Sequence, residues 1–253
     1  RLFGENMSLL NSFMSELNVV IIGASDGLGK AFIEILEQDS KVASIHAFSR
    51  REVSGNSEKT SYLYIDLENE NSIEQAAIAA SSIAKIDLVI VATGVLHDNE
   101  IKPEKSFTHL DSTIMTKVFN INSIGPAIIA KHFLPKLRRD AKTVFAVLSA
   151  RVGSINDNYL GGWASYRASK AGLNMLIKTF AIEQKRTAPK CILTSLHPGT
   201  VDTDLSKPYQ KNVKKGNLNS ASNAAGKLIS VINNLTYDDT GSFLAWDGKL
   251  IEY

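Results

Sequence analysis

Short apolar runs recur along the chain at regular intervals. Asn18–Ile22 (Asn-Val-Val-Ile-Ile), Val42–Phe48, Tyr62–Ile65, Asp87–Val91, Lys142–Leu148 and Lys190–Leu196 read as strands, and Ser242–Ala245 as a last short one. Most are continuous in apolar character rather than alternating, as in strands covered on both faces of a parallel sheet. Lys30–Gln38, Asn71–Ala84, Leu110–Arg139, Ala164–Arg186 and Ser220–Val231 read as helices. Pro126 stands in the middle of the third and lacks the N–H a helix ladder needs, so that helix should kink or break there. Strand and helix alternate throughout, which predicts an α/β fold: one doubly wound Rossmann domain, a mostly parallel seven-stranded sheet flanked by helices. The domain is taken to span 18–253, with 1–17 as an N-terminal extension. Lys207–Gly216 is basic and poor in apolar residues, and reads as a mobile lid or surface segment. No repeat, low-complexity tract or linker interrupts the pattern.

Composition narrows the class without deciding it. The chain has 253 residues, 44% hydrophobic and 21% charged, which suits a soluble globular protein. A formal net charge of +2 gives no reason to expect a nucleic-acid partner. No apolar run reaches the length of a membrane span. Arg1–Leu17 lacks the long apolar stretch and small-residue cleavage site of a secretory leader, and Met7 and Met14 could each be a native start. The single cysteine, Cys191, lies in an apolar run and reads as a small buried hydrophobe. A reducing, cytoplasmic setting fits.

The chemistry sits between the elements. Gly23-Ala-Ser-Asp-Gly-Leu-Gly29 follows the first strand at once and opens the first helix. Glycines there let a backbone approach a pyrophosphate, and a helix N-terminus offers it free N–H groups. The second strand ends at Ser49-Arg50-Arg51, where a Rossmann unit that binds NAD carries an acid. Arginine there matches a 2′-phosphate and favours NADP(H) over NAD(H). Asp66 can cap the following helix or meet an adenine edge. Ala92-Thr93-Gly94 follows the fourth strand, at the end of an open α/β sheet that receives ligands. Ala150–Gly162 is a polar, glycine-containing loop suited to shaping a substrate pocket. Tyr166 and Lys170, four residues apart on a helix, share one face. A lysine beside a phenol should lower its pKa and make Tyr166 an acid or base near neutrality. Trp163 either walls that site or only packs its loop. The histidines (46, 97, 109, 132 and 197) have no ligand spacing, so no metal is expected, and His197 reads as a structural or supporting group.

Taken together, Gly23-x-x-x-Gly27-x-Gly29, Asn122 in Asn-Ser-Ile-Gly-Pro, Tyr166-x-x-x-Lys170 and Pro198-Gly199 resemble the short-chain dehydrogenases/reductases, over nearly the whole chain after Asn18. Leu148–Ile155 and Gly161–Arg167 look most like the C-factor-like or sniffer-type carbonyl reductases. The resemblance implies that Tyr166 protonates the carbonyl oxygen as hydride arrives, that Lys170 binds the nicotinamide ribose, and that Asn122 holds a water in a proton relay. It places Gly23, Ser25, Asp26, Gly27, Leu28 and Gly29 at the pyrophosphate, and Arg50 at the 2′-phosphate. Asp66 and Leu67 fall at the adenine, Ala92, Thr93 and Gly94 along the cofactor, and Pro198, Gly199, Val201 and Thr203 at the carboxamide. Two departures stand out. The family's Asn-Asn-Ala-Gly turn is Val91-Ala-Thr-Gly94, and its Ser-Ser pair is Ser149-Ala150. Ser149 is therefore the expected carbonyl donor, with Ser154 in reserve. The implied activity is interconversion of an aldehyde or ketone with an alcohol on a small-molecule substrate, in a homodimer or homotetramer. The rivals are a regulatory or signalling protein that binds a dinucleotide without turnover, and a Rossmann-fold methyltransferase, which Arg50-Arg51 disfavours.

Overall fold

A computed structural model describes residues 8–212 and 218–253. Its strands are β1 Leu17–Ile22, β2 Val42–Ser49, β3 Thr60–Tyr64, β4 Leu88–Val91, β5 Thr143–Leu148, β6 Cys191–His197, β7 Thr200–Val201, β8 Leu218–Asn219 and β9 Ser242–Ala245. The helices are α1 Gly27–Leu36, α2 Glu70–Ala80, α3 Ser112–Phe119, α4 Gly125–Phe133, α5 Ala164–Thr187 and α6 Ala221–Asn234. Seven strands form one sheet in the order β3-β2-β1-β4-β5-β6-β9, and every neighbouring pair is parallel. From β1 the chain winds outward to β3, then crosses back to β4 on the other side of β1. That reversal is where an open α/β sheet parts to admit a ligand.

Period-two burial explains why the central strands read as unbroken apolar runs. Val19 and Ile21 of β1 pack on one face with Phe32 of α1 and Leu228 of α6. Val20 and Ile22 pack on the other with Phe133 of α4 and Leu173 and Ile177 of α5. Both faces of β1, β4 and β5 are thus covered, and none of their side chains is left for solvent.

The structure differs from the sequence expectation in four places. The stretch read as one long helix is four pieces: α3, a π-helical turn, α4 and a closing 3-10 turn at Leu134–Lys136. After α3, a π-helical turn at Asn120–Ile124 closes with the Gly125 amide bonded to the Asn120 carbonyl. Pro126 then sits at the start of α4, where the ladder is already interrupted and its missing N–H costs nothing. The second helix stops at Ala80, short of Ala84. A two-stranded β7–β8 pair, too short to leave a sequence pattern, joins Thr200–Val201 to Leu218–Asn219. Residues 8–16, set aside as an extension, pack on the core: Leu10 and Phe13 are buried beside α1 and α6, and the Leu9 and Leu10 amides donate to Asp39. No helix among the described residues is long and apolar enough to cross a membrane.

Candidate active site

A cleft of about 830 Å³ opens at the C-terminal ends of the central strands. One side is the turn between β1 and α1. Gly23 (φ +96°) and Gly27 (φ +52°) both take the left-handed backbone region that favours glycine. A Cβ on Gly29 would stand 1.9 Å from the Gly23 carbonyl oxygen, so the turn folds back onto its own helix. Ser25 lies within this turn, and Leu28 lines the cleft beside Gly27. Asp26 holds the position before α1 but makes no capping bond; its carboxylate pairs with Arg51 Nη1 at 2.8 Å. Across from the turn, Ala92, Thr93 and Gly94 leave the end of β4. The Thr93 methyl packs where a Gly23 Cβ would be, and Thr93 Oγ1 is buried with no hydrogen-bond partner. Pro198, Gly199, Val201 and Thr203 form the adjoining wall, and Thr203 packs against Gly27.

The peripheral residues fall elsewhere. Arg50 is exposed at the end of β2, and the ion pair to the glycine turn is made by Arg51, one residue on. Asp66 does not cap α2: Asn69 does, accepting from the Ser72 amide, while Asp66 accepts from the Glu68 amide. Leu67 packs against Gly125. Arg50, Asp66 and Leu67 are not part of the cleft lining.

The other side of the cleft is the first turns of α5, and Tyr166 and Lys170 are both buried there on one face. Lys170 Nζ donates to the Leu148 carbonyl at 2.8 Å and lies 5.9 Å from the centre of the Tyr166 ring. Burial lowers the Lys170 ammonium to about 8. Burial also pushes the Tyr166 phenol above its ordinary range, against the expectation of a lowered value. The physical reason is that a phenolate here would lose its hydration while the lysine is turned to a backbone carbonyl. Asn122, fully buried in the π-helical turn, accepts from the Val95 amide (2.8 Å) and donates to the Val95 carbonyl (2.9 Å) and Ser169 Oγ (3.0 Å). Its side chain thus ties the loop after β4 to α5, and a Cβ on Gly94 would touch both Lys170 Nζ and Asn122 Oδ1.

Of the two candidate serines, Ser149 lines the cleft with a buried and unpartnered Oγ, whereas Ser154 Oγ accepts from the Asp157 amide in a turn. His197 lies at the end of β6, next to Ser149 across the sheet, and its Nδ1 accepts from the Arg151 amide at 3.2 Å. Burial lowers it to about 4, so it is neutral near pH 7 with its proton on Nε2. Trp163 does wall the cleft. Its ring stands edge-on to Tyr166 (6.4 Å) and to Tyr209 (4.8 Å), which in turn meets His97 (5.7 Å). Tyr209 belongs to a 3-10 stretch, Lys207–Asn212; residues 213–216 of the expected lid lie outside the described residues. Cys191 is buried and its thiol is pushed up to about 11, as a small core residue's would be. Among the described residues no three His, Cys, Asp or Glu side chains cluster as metal ligands would. Sequence reasoning missed Arg51 as the residue at the turn and Tyr209 in the wall. Arg51 was signalled by the basic pair itself; Tyr209 had no signal.

The arrangement can bind an anion at the glycine turn and hold a polar reacting atom between a phenol, an ammonium and a hydroxyl. The short chain dehydrogenase profile matches residues 17–214, and the chain belongs to that family. The chain is 32% identical over 190 residues to 1-hydroxy-2-glutathionyl-2-methyl-3-butene dehydrogenase of Rhodococcus sp., covering 75% of this chain and 78% of that one. It is 27% identical over 230 residues to the (S)-benzoin-forming benzil reductase of Bacillus subtilis, covering 84% and 92%. In structure it resembles NADPH-bound carbonyl reductase from chicken fatty liver, with a TM-score of 0.80 at 23% identity over 96% of each chain.

Proposed function

We propose that this chain is an NADP(H)-dependent oxidoreductase that interconverts a carbonyl and an alcohol on a small or medium-sized, mostly apolar substrate. The observation that carries the proposal is the convergence, in one cleft, of Tyr166, Lys170 and the unpartnered Ser149 hydroxyl opposite the glycine turn. The two relatives by sequence support the reaction type, since one is named for oxidising an alcohol and the other for reducing a ketone. The residues present fit a nicotinamide dinucleotide. The left-handed Gly23 and Gly27 leave room for a close phosphate, and Thr93 Oγ1 waits buried for a polar partner. Arg50 and Arg51 favour the 2′-phosphate form.

A nicotinamide held between the glycine turn and Lys170 would supply the hydride, while the protein's own residues supply position, a proton and polarisation. The raised pKa of Tyr166 keeps its phenol protonated near neutrality, so it is poised as the acid that gives its proton to the carbonyl oxygen. Lys170, still largely cationic at pH 7, stabilises the phenolate left behind. Ser149 Oγ donates to the same carbonyl oxygen. Trp163 and Tyr209 give the substrate end an aromatic wall, which suits a flat, apolar carbonyl. We further propose a cytoplasmic setting and a homodimer or homotetramer; Met175 and Ile182, exposed on α5, support the assembly.

Fluorescence titration with NADPH and NADH, then NADPH oxidation against a panel of aldehydes and ketones, tests this. Tight NADPH binding with turnover is expected. Binding without turnover on any carbonyl would favour a dinucleotide-binding regulator, and no binding would remove the cofactor assignment.

A further inference from the structure

Helix α5 carries Tyr166 in its first turn, yet it has no cap of its own. The position before the helix is usually Ser, Thr, Asp or Asn, whose side chain accepts from a first-turn amide. Here it is Trp163, which cannot accept and which takes a left-handed φ of +54°. Gly161 and Gly162 are also left-handed, so three consecutive residues turn the wrong way just before the helix. A non-glycine residue holds such a conformation only where its surroundings fix it.

The surroundings come from a residue 61 positions before Ser165. Glu104, in the loop after β4, is buried, with 6% of its surface exposed. Its carboxylate accepts from the Ser165 amide at 3.2 Å and from Ser165 Oγ. Its backbone carbonyl accepts from the Trp163 amide at 2.6 Å. Glu104 therefore grips the residue immediately before Tyr166 and the residue three before it. Arg167 holds the same turn from the helix side, donating to the Gly162 and Gly161 carbonyls at 2.9 and 3.1 Å. A buried carboxylate also suits the positive end of a 24-residue helix.

We propose that Glu104 is the missing cap of α5 and a positioning residue for Tyr166, acting through Ser165. It rests on the assignment of Tyr166 as the acid. Glu104 is not part of the cleft lining; it fixes the left-handed turn and so the height at which the phenol meets the carbonyl. Misplacement of a reacting group by about 1 Å costs up to about a hundredfold in rate.

The test compares wild type, Glu104→Gln, Ser165→Ala and the double variant in NADPH-dependent ketone reduction. Glu104→Gln should lower kcat roughly tenfold to a hundredfold, with the NADPH dissociation constant within twofold of wild type. With deuterated NADPH its isotope effect should rise, because the chemical step has slowed. Simple loss of folded enzyme would lower kcat with no change in isotope effect, and that result would overturn the proposal. The double variant should lose no more than Glu104→Gln alone; losses that multiply would mean that Glu104 does not act through Ser165. If Glu104→Gln fails to fold, Ser165→Ala carries the same isotope-effect test. A readout without turnover uses Trp246→Phe, which leaves Trp163 as the sole tryptophan. In that background Glu104→Gln should shift Trp163 emission and raise its quenching by acrylamide, and an unchanged spectrum would overturn the proposal. Tyr166→Phe separates the two claims. If it retains turnover, the acid assignment falls; if it is inactive while Glu104→Gln behaves as wild type, only the positioning role falls.

Discussion

Gly153→Ala tests how tightly turnover depends on the seat of Lys170. Gly153 ends the short turn that packs against α5, and its φ is not left-handed, so alanine brings no backbone penalty. Its new Cβ would lie 2.8 Å from Lys170 Cβ and 2.9 Å from the Lys170 carbonyl carbon. Ordinary contact begins at 3.4 Å, so the methyl intrudes by about 0.6 Å on rigid helix backbone rather than on a flexible side-chain tip. Overpacking of this kind costs about 1–3 kcal/mol. At this chain length, that is a fall in melting temperature of roughly 2–12 °C. The helix must yield by about half an ångström at Lys170, which disturbs its 2.8 Å bond to the Leu148 carbonyl. The expected loss in kcat is roughly tenfold, below the hundredfold that a full ångström can bring. Gly172→Ala on the same helix is the control. Its Cβ would meet nothing closer than 3.6 Å, and alanine improves helix propensity, so stability should hold or rise and kcat should not change. Thermal melting and steady-state reduction of a ketone read both variants. Wild-type melting and kcat in Gly153→Ala would refute the packing argument; normal kcat with lowered melting would refute the dependence of turnover on Lys170's seat.

Other expectations follow from the same geometry. Arg50→Ala and Arg51→Ala should each weaken NADPH about 10- to 150-fold, the worth of a charge-assisted bond, with little change for NADH; equal losses for both cofactors would remove the 2′-phosphate assignment. His197 is lowered to about 4 against an ordinary value near 6.5, so the unfolded chain binds more protons between those values and stability should fall as pH drops through them. Denaturant midpoints from pH 7 to pH 4 should be flatter in His197→Gln; an unchanged slope would show that His197 is not a source of that loss.

What the sequence disclosed and what it withheld divide along physical lines. β1, β4 and β5 are buried on both faces, so their apolar runs were unmistakable. Tyr166 and Lys170 share a helix face by periodicity alone. Contacts between distant segments left no local trace. Glu104 reads as a surface glutamate in a polar loop until the fold brings it to Ser165. Leu10 and Phe13 fall in the stretch set aside as an N-terminal extension, though they sit in the core. The π-helical turn was heralded only by Pro126, which marks where the ladder breaks but not how. The lysine–tyrosine spacing also misled on one point, since spacing carries no information about burial, and burial sets the direction of the Tyr166 shift.

The most direct measurement is NADPH oxidation with a flat aromatic ketone, run side by side on wild type and Tyr166→Phe, with cofactor affinity measured for both. Turnover by wild type and its loss in a variant that still binds NADPH is the predicted result. Turnover retained by Tyr166→Phe would contradict the account at its centre.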